Sequence, residues 1–347
     1  VYSSYDASSV VSASAAAKTI GAAAVATKGT VNKVELITSY EEGKSVFGED
    51  ASGVYGMSTL LRFLFANGAG AVKAVAVGKD ESEEKDYASA FAALSDEEDV
   101  GVMVCDSAAQ SVHLLLKTAA EDASAARRER IAVIGGSEET VAQMVNRAKA
   151  VNSERVVLVG PDIASDDGST MSAVFAAAAV AAVIAGNTDP SVPINGAELT
   201  LFGAAGKRLS DNEIDQLVRG GVTPIETVGG VSSPVRGITT KTSSGGAADT
   251  TWRELTTILI VDEVITTIRS ALRTRFARSK NTAQSRGAIR SQVVLELEEM
   301  KSREIVDSYG EVLVSALKSD PTVCLVEFSF TVAHGLNRIY LTAHITV

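Results

Sequence analysis

Apolar and polar positions follow two different periods along this chain, and the change of period divides it. Residues 1–20 are rich in serine and alanine with two early tyrosines and no helical stripe, so they read as an extended arm in which Ala13–Ala17 could be locally helical. From Gly21 short apolar runs begin. Ala22–Thr27 and Val34–Thr38 predict strands separated by a Lys28-Gly29 turn, and Val72–Val77 predicts another. Between them Tyr55–Ala66 carries Leu60, Leu61, Leu64 and Phe65 at helical spacing and stops at Asn67-Gly68. After a charged stretch, Lys79–Asp86, which reads as a solvated loop or a helix start, strand and helix patterns alternate. Strands at Val100–Val104, Ile131–Ile134 and Val156–Val159 precede helices at Ser107–Arg128, Ser137–Ala150 and Thr170–Ala185. Repeated units of this kind predict a parallel or mixed sheet covered by helices.

Beyond Gly186 glycine and proline loosen the pattern, with one polar helix predicted at Ser210–Arg219, and the Gly, Ser and Thr-rich segment Gly229–Gly246 resembles a domain boundary. The last hundred residues are patterned more sharply. Thr251-Trp252-Arg253-Glu254 has capping-box spacing, and Leu255, Ile258, Val261, Ile265, Ile268 and Leu272 form the stripe of the helix it would open. Ile289, Val293, Leu297 and Met300 mark a second amphipathic helix. Strands are predicted at Glu311–Leu317, Val323–Val332 and Arg338–Val347, the last two joined by a Gly335-Leu336-Asn337 hairpin loop. A terminal strand with no cap is expected to pair with something. The reading is therefore an arm (1–20), an α/β domain (21–236) and a C-terminal α+β domain (237–347).

Composition changes this picture in three places. The 347 residues are enough for sizeable cores, but two cysteines and three histidines leave little for a disulfide scaffold or a soft-metal site. The longest apolar run, Ala173–Ala185, has thirteen residues of which eight are alanine, too short to span a bilayer and best read as a buried helix. No secretory signal is recognised, and a start at Val1 suggests that residues upstream were removed or left out. The net charge of −11 disfavours phosphate backbones and anionic membranes. Yet Thr266–Arg290 holds seven basic residues and no acid: Arg269, Arg273, Arg275, Arg278, Lys280, Arg286 and Arg290. Removing those seven positive charges leaves −18 for the rest, so the molecule has two electrostatic faces.

Searching for chemistry gives little. Ile134-Gly135-Gly136-Ser137 lacks dinucleotide-loop spacing, Gly203-Ala204-Ala205-Gly206-Lys207-Arg208 lacks that of a phosphate loop, and no nucleophile elbow occurs. Cys105 and His113 form a conceivable nucleophile and base without an orienting third group, and burial is the commoner fate of such a cysteine. Asp162, Asp166, Asp167 and Gly168 lack calcium-loop spacing, and His334 with His344 lacks a third ligand. No catalytic, cofactor or metal site is predicted. The alternative, an α/β enzyme binding a nucleotide or flavin at the carboxyl ends of its strands, rests on the alternating middle alone.

The segments Thr250–Asp262, Arg275–Thr282, Gly287–Val293 and Val332–Val347 resemble the tail sheath proteins of contractile phages and phage-tail-like bacteriocins. A weaker likeness covers Val1-Tyr2, Lys28–Asn32, Phe47-Gly48 and Phe65–Gly68. The resemblance implies a structural subunit, not an enzyme, stacked as hexameric rings in a helical sheath around a rigid tail tube and contracting to drive that tube through a target envelope. Its partners would be other copies of itself, the tube protein, and baseplate and sheath-terminating proteins, with no nucleic acid, membrane insertion or cofactor. The particle would be a phage tail or bacteriocin, assembled in the host cytoplasm and released by lysis. The arm (Val1, Tyr2, Tyr5) and terminal strand (Ile339, Leu341, Ala343, Ile345, Val347) would be exchanged with neighbouring subunits, completing the C-terminal sheet by β-augmentation. Arg269, Arg273, Arg275 and Arg278 would face acidic groups on the tube; the alternative is that they pair with the protein's own carboxylates or a neighbour's.

Overall fold

Alternating burial on two faces builds the larger domain. The computed structural model describes residues 18–51, 53–78, 83–164 and 169–337. In chain order its first half comprises β1 (Thr19–Val25), β2 (Val34–Ile37), α1 (Tyr40–Phe47), α2 (Met57–Ala66), β3 (Val72–Val77), α3 (Glu83–Ser95), β4 (Val100–Cys105), α4 (Gln110–Ala125), β5 (Ile131–Gly135), α5 (Val141–Val151) and β6 (Val156–Gly160). Then come β7 (Ile163–Ala164), β8 (Thr170–Met171), α6 (Ala173–Gly186), β9 (Ala204–Ala205), α7 (Asp211–Arg219), β10 (Thr223–Val228) and β11 (Val231–Pro234). Eight strands form one sheet in the order β11-β10-β6-β5-β4-β1-β3-β2. The six inner strands run parallel, and the edge strands β2 and β11 are antiparallel to their neighbours.

Successive strand residues feed opposite cores. Ile20, Ala22, Val102, Val104, Val133 and Val157 join α2 and α6 on one face, while Ala23, Met103, Ala132, Ile134 and Leu158 meet α3, α4, α5 and α7 on the other. Helix α6 is buried nearly all round, as its alanines predict: small side chains let it lie close to the sheet. Gly135 makes that approach possible, since a Cβ there would lie 2.3 Å from the Ala173 carbonyl.

Several sequence expectations shift. Strands β1 and β2 are not neighbours, because β3 lies between them. Strand β1 begins at Thr19, inside the stretch read as an arm. The helix expected from Ser137 begins after Thr140, whose capping box with Gln143 satisfies the first-turn amides. Helix α1 and strands β10 and β11 were not foreseen. The segment 229–246 is only partly open: Ile238, Thr239 and Thr240 are fully buried, and Thr240 N–H donates to the Val156 carbonyl at 2.8 Å.

After the small hairpin β12 (Ser243–Ser244) and β13 (Ala247–Ala248) come α8 (Leu255–Phe276), α9 (Ala283–Ser302), β14 (Val306–Tyr309), β15 (Leu313–Ala316), β16 (Cys324–Glu327) and β17 (Phe330–Val332). The expected capping box at Thr251 is not used. Glu254, which would close it, is held extended by a bridge to Ile238, and its carboxylate accepts instead from Arg236. Helix α8 belongs to two cores: Leu255, Ile258 and Leu259 pack with the α/β domain, and Ile260, Val264 and Ile268 pack with α9 and the terminal strands.

Candidate assembly surfaces

The C-terminal strands form one long hairpin. β14 pairs β17 and β15 pairs β16, both antiparallel, and Gly310 N–H donates to the Ser329 carbonyl between the two ladders at 2.8 Å. One face rests on α8 and α9 through Val306, Val312, Val314, Val326, Phe328 and Phe330. The other leaves Leu313, Leu317, Val323 and Leu325 exposed. Among the described residues neither long strand has a second neighbour. Leu317 N–H donates across the hairpin to the Val323 carbonyl, so the alternate residues Val314, Ala316, Cys324 and Val326 turn their backbone groups toward the two free edges. Open edges with unpaired N–H and C=O groups are templates for further strands, and an isolated two-stranded sheet is marginal without them.

The residues expected to supply such strands, Val1, Tyr2, Tyr5, Ile339, Leu341, Ala343, Ile345 and Val347, lie outside the described residues, as does His344. Their flanks are placed. Lys18 N–H donates to the Ala185 carbonyl beside the start of β1. Gly335 does not take the positive φ that a tight three-residue loop uses; it packs on Pro193, and Asn337 Oδ1 accepts from Asn195 Nδ2 at 2.9 Å. The chain at 335–337 is thus held against the α/β domain.

The basic segment divides in two. Arg269 Nη2 lies 2.6 Å from Glu129 Oε1 of the α/β domain, so this arginine serves an internal pair. Arg275 donates to Gln292 Oε1, Arg286 to Asn281 Oδ1, and Arg290 stands 3.5 Å from Glu311. Arg273, Arg278 and Lys280, all exposed, have no carboxylate within ion-pair distance among the described residues. They cluster at the carboxyl end of α8, where positive charge also favours the helix dipole.

The candidate chemistry resolves into structural contacts. Burial pushes the Cys105 thiol up to about 12, and the charges of Asp106 and Glu83 act in the same sense. Burial, then the Arg147 charge, pulls His113 down to about 4. Its Nε2–H donates to the Ser107 carbonyl at 2.9 Å and Nδ1 accepts from Arg147, so both ring nitrogens are engaged. A thiol that stays protonated beside an occupied imidazole is no nucleophile pair. In open parallel sheets ligands bind where the strand order reverses, here between β1 and β4. The chain's own carboxylates fill that place: Asp106 accepts from the Val25 N–H at 2.9 Å and from the Tyr87 hydroxyl. Nearby, Asp50 accepts from the N–H groups of Gly56, Ser58 and Thr59, neutralising the start of α2. Asp162 likewise accepts from Ala173 N–H at the start of α6. Asp166 and Asp167 lie outside the described residues. A cleft of about 290 Å³ at the ends of β5 and β6 is lined by Glu138, Glu139 and Asp162 against a single Lys207, itself paired with Glu213. No helix of the described residues is long and apolar enough to cross a membrane.

Comparison with known proteins matches this architecture. The family model described as the phage tail sheath protein central domain matches residues 80–240, and that of the phage tail sheath C-terminal domain matches 247–346. The chain belongs to the phage tail sheath protein family. A tail sheath protein of Bacillus phage SP01 is 30% identical over 224 residues, which are 63% of this chain and 38% of the relative, so the match spans little more than a third of that relative's length. Among solved structures, a sheath tail protein from Desulfitobacterium hafniense superposes with a TM-score of 0.71 at 11% identity, covering 96% of this chain and all of its own. The contracted helical sheath of the anti-feeding prophage gives 0.70 at 14% identity, over 99% of this chain and 98% of that one. The PVC sheath complex of an extracellular contractile injection system, also contracted, gives 0.71 at 15% identity over 95% and 92%. These last three share the fold of this sheath-family chain. The two family models meet across 241–246, close to the β12–β13 hairpin, and the C-terminal one contains all of α8 although that helix is rooted in both cores.

Proposed function

We propose that this chain is a structural subunit, not an enzyme, that polymerises as stacked hexameric rings around a rigid tail tube and contracts to drive the tube through a target cell envelope. The open-edged hairpin carries the reading. Its two edges, open among the described residues, suit strands from neighbouring subunits, with residues 1–17 as one donor and 338–347 as the second. Main-chain hydrogen bonds hold such a link while the connecting arm moves, and many repeated links give a strong lattice by avidity. Head-to-tail interfaces of this kind do not close, so they grow into a tube. The α/β domain, built on the eight-stranded sheet, would form the outer part, and the C-terminal domain of α9 and β14–β17 the inner. Arg273 and Arg278, without a carboxylate partner among the described residues, would meet acidic groups on the tube protein, with Arg275 beside them and Arg269 behind them in its internal pair. Ionic contacts of this type hold register yet release on contraction. Baseplate and terminating proteins would cap the two ends of the sheath. The particle, a phage tail or bacteriocin, would assemble in the bacterial cytoplasm and leave by lysis.

Electron microscopy of the purified chain tests the reading. Striated tubes or rings are expected, and deletion of residues 1–15 should leave a folded subunit that makes no long polymers. Unimpaired polymerisation of the truncated chain removes the arm from the mechanism. A monodisperse monomer that binds a nucleotide would replace the whole reading.

A further inference from the structure

Helix α8 crosses the amino ends of β5 and β6 with two ion pairs of opposite polarity. Asp262, almost fully buried, receives both Nη atoms of Arg155, the residue before β6, at 2.5 and 2.9 Å. One heptad further on, Arg269 Nη2 donates to Glu129 Oε1, just before β5, at 2.6 Å. Seven residues return to nearly the same helix face, about 10.5 Å along the axis. Acid on the helix meets base on the sheet, and then base on the helix meets acid on the sheet.

We propose that Arg155, Glu129, Asp262 and Arg269 form a registry lock that fixes where α8, and with it the whole C-terminal domain, sits on the α/β domain. Sliding α8 by one heptad in one direction places Asp262 opposite Glu129, and in the other places Arg269 opposite Arg155. Like charges then face each other in a half-buried seam, a specific penalty that apolar packing alone does not supply. Leu255, Ile258 and Leu259 anchor the start of the helix in the α/β core, so the ion pairs act on its far half. A cleft of about 230 Å³ lies beside them, lined by Lys18, Glu98, Arg127 and Glu263, so the seam there is polar and not sealed by an apolar core. Burial drives the Asp262 carboxyl up, and the Arg155 contacts oppose this; at Glu129 burial acts in the same sense, but the Arg269 hydrogen bond, a backbone hydrogen bond and the charges of Arg269 and Arg155 together outweigh it and leave that carboxyl lowered. Arg269 is thereby a positioning residue: it orients the helix end that presents Arg273 and Arg278. That consequence for a sheath rests on the assembly reading above, whereas the lock is a property of the single chain.

The test uses the unassembled full-length chain with Cys324→Ser and spin labels on Lys149→Cys and Thr274→Cys, both exposed positions away from the seam. Electron–electron distances should show one narrow population. Arg269→Glu or Glu129→Arg alone should broaden or shift it, and the combined swap should restore it. The neutral pair Arg269→Gln with Glu129→Gln should fold and show a broadened distance. A single reversal that leaves the distance narrow and unshifted overturns the lock. So does a combined swap that stays broad or fails to fold. Because polymerisation is not the readout, failure of the lock and failure of the sheath reading are separable.

Discussion

At the scale of single residues, two buried groups give opposite pH signatures. Burial raises Asp106 to about 6, against the hydrogen bonds from Tyr87 and Val25 that favour its charge. A carboxyl raised in the folded state contributes stability below its unfolded pKa of about 4 and loses it as pH rises through the folded value. Relative to Asp106→Asn, the wild type should therefore lose about 1.4 kcal/mol of stability between about pH 5 and pH 7.5, measured by urea titration. His113, lowered by burial, contributes in the other sense, stabilising above its unfolded pKa and losing that as pH falls; comparison with the variant cancels it. A flat difference across this range contradicts the assignment to Asp106. Gly135 is a steric case. Gly135→Val drives side-chain atoms into the Ala173 backbone and should cost about 3 kcal/mol or more, read as a lowered urea midpoint.

At the scale of elements, what was legible followed burial. Strand β3 has the bounds the sequence predicts because five of its six residues are apolar and buried, Lys73 alone being polar. Helix α1 was missed because it is polar, contains Gly43 and buries little besides Phe47. Strand β10 carries Pro224 as its second residue, near the strand start where a missing N–H is tolerated. The hairpin edges make an element-level prediction. Ala316→Pro and Cys324→Pro each remove an outward N–H from one free edge without breaking the hairpin ladder. Both variants should remain folded by circular dichroism, and each edge that accepts a neighbour's strand should show shortened polymers. Wild-type polymers from both would remove strand addition at β15 and β16.

At the scale of the molecule, the charge asymmetry divides into two functions. The pair at Arg269 and the buried pair at Asp262 join domains, while Arg273, Arg278 and Lys280 meet no carboxylate among the described residues. Screening separates ionic from main-chain contacts, since the Debye length falls from about 10 Å at 0.1 M salt to about 3 Å at 1 M. In co-sedimentation, molar salt should release the chain from tubes while leaving its own polymers intact. Tube binding that is indifferent to salt, or unchanged in Arg273→Glu with Arg278→Glu, would count against the cationic end as the contact.

Local pattern by itself determined the order of most strands and helices, the acidic body with one basic segment, and the residues that resemble a sheath. These depend on neighbours in sequence, where period and capping act. Which strands are adjacent, which helix serves two cores and which arginines are engaged in internal contacts were decided only by the tertiary structure. Asp262 sits in an otherwise apolar stripe, and nothing nearby names Arg155, 107 residues away, as its partner. Long-range pairing of buried charge depends on where the chain returns in space, and no local period encodes that.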